Sequence, residues 1–226
     1  MKKQLSKKYI FPAAACIIVL LGLAYYYFFT SFSGKSETQY VYVDSDDTYD
    51  SLMTKLKPIS SNHTFQAFSI LSRHSNLIKR VRTGRYAIKP AMGAYVVFRH
   101  FKNGMQEPLQ LVVPSVRTMQ DMAGALGKKL MMDSATIEKA LTDEAVCQKF
   151  GYDTTTIAAL FIPNTYDIYW DTSIDNLLKR MQKENKNFWD DARLKKAEAL
   201  KLTPVQVATL ASIIDEETAN NGEKPM

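Results

Sequence analysis

Residues 84–104 read GRYAIKPAMGAYVVFRHFKNG. Gly84 to Ile88 is a short strand, residues 92–102 carry helical apolar spacing, and Asn103-Gly104 is a stop signal. A strand running almost directly into a helix sets the class, and the flanking sequence continues the alternation. Upstream, residues 39–43 (QYVYV) alternate as a half-buried strand. Asp47 or Thr48 can cap a helix over 49–56, Pro58 ends it, and 64–72 is a second short helical stretch. Downstream, 109–113 is an apolar strand, and 118–130 is amphipathic through Met119, Met122, Ala123, Leu126 and Leu130. Residues 38–131 are therefore expected to form one small α+β module. Its basic run, Lys79, Arg80, Arg82 and Arg85, reads as a solvated edge strand rather than a site for anionic polymer or lipid headgroups.

From Asp133 the pattern becomes mainly helical. Helices are expected over 134–141 and 143–150, with Gly151 as a stop. Residues 160–166 (LFIPNTY) read as irregular. Asp171 is expected to cap a helix over 174–184, and 188–200 forms another with Trp189 as an anchor. The last helix, 203–218, reads TPVQVATLASIIDEET. Thr203 is its N-cap and Pro204 its first helical residue. Val207, Leu210, Ile213 and Ile214 mark one buried face, and Glu217 continues that line. Glu216 follows the polar row of Thr209 and Ser212, and Asp215 follows the small residues Ala208 and Ala211. A desolvated carboxyl at Glu217 would keep a proton near neutral pH, as a general acid requires. The structural alternative is that Glu217 ends the helix, paired with a lysine such as Lys224.

Residues 9–29 contain no charge and are long enough to cross a bilayer core of roughly 30 Å. Lys2, Lys3, Lys7 and Lys8 precede them, which places the N-terminus in the cytoplasm. Tyr25 to Phe29 forms an aromatic belt at the outer interface. The run exceeds a usual signal-peptide core, so an uncleaved single-pass anchor is expected, followed by a polar tether at 30–37. The net charge of +6 is concentrated there, and residues 36–226 carry only +1. That balance gives no support to a nucleic-acid surface. Cys16 and Cys147 are not expected to pair. His63, His74 and His100 have no ligand spacing and read as surface or loop residues, so no metal or cofactor is expected.

Three features together resemble the MltG (YceG-like) family of endolytic lytic transglycosylases, which cut peptidoglycan glycan strands. After the anchor, GRYAIKPAMGAYVVFRHFKNG and LVVPSVRTMQDMAGAL are similar to the family's LysM-like region. LFIPNTYDIYW resembles its Leu-Phe-Pro-Asp-Thr-Tyr signature, with Asn164 in place of the Asp. LASIIDEET resembles its catalytic-helix motif, with Asp215 at the first acid, usually Glu, and Glu217 at the second. The resemblance implies a LysM-like α+β module at 38–131 and the mainly helical start of a YceG-like catalytic domain at 132–226. Family members continue beyond this helix, so a chain ending nine residues after Glu217 is expected to be an incomplete catalytic domain.

The resemblance implies Glu217 as catalytic acid and base, Thr165, Tyr166 and Asp215 as substrate contacts, and no cofactor. Implied partners are peptidoglycan strands, the cytoplasmic (inner) membrane and peptidoglycan synthases. Two alternatives remain: a hydrolase with Asp215 or Glu216 as second carboxylate, and a non-catalytic peptidoglycan-binding scaffold. In the second, Tyr86 and Tyr95 could stack on sugars, although core packing is the expected use of both.

Overall fold

The computed structural model describes secondary structure for residues 7–217 and side chains for residues 11–215 and 217. Lys2, Lys3, Thr218, Lys224 and the side chains of Lys7, Lys8 and Glu216 lie outside the described residues. The fold is α+β, and the chain divides into two compact units, Met1–Glu107 and Pro108–Met226.

The first unit contains α1 (Lys7–Phe29), β1 (Gln39–Val43), α2 (Tyr49–Leu56), α3 (Asn62–Arg73), β2 (Gly84–Ile88) and α4 (Ala94–Asn103). β1 and β2 form an antiparallel ribbon with Val41 opposite Tyr86. Thr48, the second of the two expected caps, holds α2 through reciprocal hydrogen bonds with Ser51. Gly104 ends α4 at φ +69°, a left-handed conformation that favours glycine. The ribbon and helices close over an aromatic core in which Phe68 meets Phe32, Phe98 and Phe101 edge to face. Tyr86 is buried there as expected, but Tyr95 is 41% exposed and is not a core residue.

Three expectations for this unit are corrected. Residues 30–37 are not simply a tether, because Phe32 is fully buried. Its N–H donates to the Met92 carbonyl at 2.7 Å, and its carbonyl accepts from Ser61 N–H at 2.9 Å and Thr64 Oγ1 at 3.0 Å. Of the histidines read as surface or loop residues, His74 is exposed at the end of α3 as expected, whereas His63 and His100 are half-buried on α3 and α4. Burial lowers the His100 imidazole from its ordinary value. Lys79 lies in a turn and Arg80 and Arg82 in the irregular stretch before β2, so only Arg85 of that run is in a strand.

The second unit contains β3 (Leu109–Val113), α5 (Met119–Gly127), α6 (Ser134–Leu141), α7 (Glu144–Lys149), β4 (Asn164–Ile168), α8 (Ile174–Phe188), α9 (Asp191–Ala199) and α10 (Pro204–Glu217). β3 pairs antiparallel with β4, Leu111 opposite Tyr166 and Val113 opposite Asn164. The compact units therefore divide at 107/108, whereas the sequence reading continued the α+β module to 131. The apolar run of β3 carries no mark of its partner, and that partner lies in the stretch expected to be irregular. Leu111, Val113, Leu126, Ile137, Leu141, Leu177 and Met181 build this unit's core with Tyr166 and Ile168. Ser173, not Asp171, caps α8, and Asp190 caps α9. α8 extends to Phe188, so Trp189 stands between the two helices rather than inside the second.

Asp153 starts the turn that leads to β4. Its Oδ1 accepts from both the backbone N–H and the hydroxyl of Thr155 and of Thr156, at 2.7–2.8 Å. These donors pull its carboxyl down from 3.8 to about 2. A lowered native value gives stability that is complete above the ordinary carboxylate value and lost as pH falls through the native one. The second unit should therefore lose stability between roughly pH 4 and 2, and Asp153→Asn should flatten that part of the profile. Thermal midpoints by circular dichroism against pH check this; parallel profiles would exclude the contribution.

Candidate functional site

The segment before β4 is fastened by α8. Asn185, 8% exposed, donates from Nδ2 to the carbonyls of Ala159 at 2.7 Å and Leu160 at 3.3 Å. Beyond Pro163 Asn164 is exposed, and the residues TYDI then alternate, turning Tyr166 and Ile168 inward and Thr165 and Asp167 outward. Period-two alternation was therefore present in a stretch read as irregular, just after a proline that made it look like a loop. The Tyr166 hydroxyl donates to the Ile162 carbonyl at 2.7 Å. Burial first, then the charge of Glu184, raises its phenol. Thr165 lies on the open face opposite Val112. The two residues grouped as expected substrate contacts thus sit on opposite faces of β4, with Tyr166 6% exposed. Tyr166→Phe should lower stability by about 1 kcal/mol, the usual net worth of such a hydrogen bond. Urea midpoints read that change, and an unchanged midpoint would mean that the bond contributes nothing.

α9 delivers α10 through a tight turn. Lys201 takes φ +56°, with its N–H on the Glu198 carbonyl at 2.8 Å and the Leu202 N–H on Ala197 at 3.0 Å. That is the paired bonding of a Schellman end, with lysine where glycine is usual. Thr203 then caps α10 as expected. Its Oγ1 accepts from Gln206 N–H at 3.3 Å, and Gln206 Oε1 accepts from Thr203 N–H at 2.8 Å. This is a capping box, a signal that Thr-x-x-Gln carries in the sequence.

The expected burial of α10 is corrected. Only its first turns are partly covered, at Pro204, Val205, Val207 and Ala208. Leu210, Ile213 and Ile214 are 46%, 52% and 42% exposed, and Glu217 is exposed with them. Helical periodicity identifies the side that seeks apolar neighbours. It does not provide them, and beyond Val207 that side stays largely exposed.

One long-range contact places the acidic end of α10. Ser115 Oγ donates to Asp215 Oδ2 at 3.0 Å. Ser115 lies two residues beyond Val113, which pairs with Asn164. Asp215 is thus held at the end of the β3–β4 ribbon that carries Asn164 and Thr165. Glu217, two residues on, is turned about 200° around the helix from Asp215, away from the Ser115 contact and back to the line of Ile213 and Ile214. Ser115 was missed because nothing in its local sequence points to a partner one hundred residues away. Among the described residues no group of three His, Cys, Asp or Glu comes together. Cys16 is exposed and Cys147 buried, both as thiols.

The YceG-like family model matches residues 41–226. A crystal structure of a protein described as YceG-like from Listeria monocytogenes is similar at a TM-score of 0.46 and 19% identity. The similarity covers 83% of this chain and 66% of that one, so this chain spans just under two thirds of the neighbour's length. No curated protein matches.

Proposed function

Since this chain belongs to the YceG-like family, we propose that it is a membrane-anchored endolytic lytic transglycosylase of nascent peptidoglycan. α1 contains a stretch, Phe11–Phe29, long and apolar enough to span a bilayer. The lysines before it favour a cytoplasmic N-terminus and an extracytoplasmic bulk in the bacterial inner membrane. There the enzyme would cut the β-1,4 bond between N-acetylmuramic acid and N-acetylglucosamine and so limit strand length. Peptidoglycan synthases that make the strands are its natural partners. The proposed domain order is anchor, LysM-like module and catalytic domain, with the division between the last two following the compact units.

Glu217 is the proposed catalytic group, with Asp215 and Thr165 as substrate-side residues and Tyr166 as the support of the strand beneath them. In the proposed reaction the Glu217 carboxyl gives a proton to the glycosidic oxygen as the bond to C1 breaks. The resulting carboxylate takes the proton from the substrate's own C6 hydroxyl as that oxygen attacks C1. The products are a free 4-hydroxyl and a 1,6-anhydro-muramic end, and no water is consumed. The single observation that most supports Glu217 acting without Asp215 as a second carboxylate is the Ser115–Asp215 hydrogen bond. It engages the first acid of the motif and leaves Glu217 pointing elsewhere, whereas a two-carboxylate hydrolase needs both acids to flank one bond.

Borohydride treatment of the products tests this. Anhydro ends resist reduction and hydrolytic ends accept it, so reducible ends would replace the proposal with a hydrolase. The exposure of Glu217 favours one second reading, a peptidoglycan-binding scaffold. Binding without strand shortening by the full product of the gene would establish it.

A further inference from the structure

The apolar helix does not lead into a flexible connection; its last turn is packed into the first unit. Tyr27 and Phe28 lie against that unit's core. The His63 ring on α3 stacks on Tyr26 at 4.2 Å between centroids, and its Nε2 lies 2.9 Å from Thr30 Oγ1. Phe29 is 6.3 Å from the Tyr95 ring on α4. A Cβ at Gly93 would stand 2.6 Å from the Phe28 carbonyl oxygen, so only glycine permits this approach. Ser31 then bridges to Gly93, and Phe32 enters the core one residue later. No slack separates the helix from the unit.

Depth follows from length. Phe11–Phe29 is 19 residues, about 28 Å of helix, against roughly 30 Å of hydrocarbon. A helix that spans carries its last turn to the outer edge of the hydrocarbon, and whatever touches that turn lies at the same depth. His63 and Tyr95 touch it. Tyr95 and its neighbour Val96 are 41% and 36% exposed at the start of α4, and tyrosine is favoured at the membrane interface. The charge pattern agrees. Residues 51–106 contain ten lysines and arginines and no aspartate or glutamate. Lys55 pairs with Asp44 and Asp47, and Lys89 with Glu107. Lys57, just before α3, and Arg99 on α4 are exposed. Neither helix brings an acid that anionic headgroups would repel.

We propose that the N-terminal turns of α3 and α4 are seated in the headgroup layer of the leaflet from which α1 emerges, with Tyr95 and Val96 inserted and Lys57 and Arg99 directed to anionic phospholipid. The proposal rests on the reading of α1 as a membrane-spanning anchor. Its consequence is that the first unit stands at a fixed height on the bilayer instead of ranging on a tether.

The test is spin-label depth measurement on the full chain, with Cys16→Ala, reconstituted in vesicles of phosphatidylcholine and phosphatidylglycerol. Cys147 is fully buried and stays unlabelled. Labels are placed singly at Leu20→Cys, Tyr95→Cys and Asp46→Cys. Asp46 is exposed beyond the end of the β1–β2 ribbon opposite to Ile88. The expected result is hydrocarbon depth at 20, headgroup depth at 95 and full aqueous accessibility at 46. Lys57→Glu with Arg99→Glu should raise aqueous accessibility at 95 several-fold. If 20 is deep but 95 is as aqueous as 46, the seating is wrong and the anchor stands. An aqueous signal at 20 overturns both. A headgroup signal at 95 that ignores the charge reversal removes anionic lipid from the proposal.

Discussion

Glu217→Gln is expected to reduce peptidoglycan cleavage by the full gene product about 10²- to 10⁴-fold, the usual worth of a positioned general acid and base. The amide keeps the size and polarity of the side chain but can neither give a proton to the glycosidic oxygen nor take one from the C6 hydroxyl. Because Glu217 is exposed, the substitution should move the unfolding free energy by less than about 0.5 kcal/mol. A loss of activity therefore cannot be assigned to misfolding. Cleavage rates and thermal midpoints, measured on the same preparations, check both halves. Undiminished cleavage by the folded variant would remove Glu217 from the mechanism. Asp215→Asn serves as the comparison. It preserves an acceptor for Ser115 and should cost much less than Glu217→Gln, whereas equal losses would restore the two-carboxylate hydrolase.

Phe32→Ala is expected to destabilise the first unit by about 3–5 kcal/mol, as for a buried phenylalanine cut to alanine. The ring is wholly enclosed beside Phe68, and the backbone around it is pinned on both sides by Met92, Ser61 and Thr64. The surrounding structure thus has little freedom to collapse into the cavity. Lys35→Ala, three residues on and exposed, should be neutral. A soluble fragment that starts at residue 36 should show at least the same loss as Phe32→Ala, because it lacks both Phe32 and the Tyr27 and Phe28 contacts. Guanidinium midpoints compare these proteins with the parent. If Phe32→Ala matched the parent, residues 30–37 would be a tether after all.

The contrast between these two sites shows what the sequence could and could not reveal. Thr203 and Pro204 announced the start of α10, Gly84 to Ile88 and QYVYV announced two strands though not their pairing, and the uncharged run at 9–29 announced α1. Each signal lies within a few residues of what it specifies. Phe32 was lost in a polar context, because a single aromatic between serines has no period to reveal its partner. β4 was lost because Pro163 and Asn164 disguised four alternating residues, and with it went the pairing of β3 and the division between the units. At the candidate site, the motif residues were legible one by one. The Ser115–Asp215 contact was not, since it depends on the fold of the whole second unit. The exposure of Leu210, Ile213 and Ile214 was not legible either. An amphipathic stripe records a preference for burial, and only the surrounding chain decides whether it is met.

In the proposed mechanism the new chain end takes its oxygen from the substrate's own C6 hydroxyl. This is tested by digesting purified peptidoglycan with the full gene product in water enriched in heavy oxygen and weighing the fragments by mass spectrometry. Attack by the substrate's own C6 hydroxyl predicts anhydro-muramic ends, one water lighter than reducing ends and carrying no heavy oxygen. Heavy oxygen in reducing muramic ends would contradict the account and show that water, not the sugar, is the nucleophile.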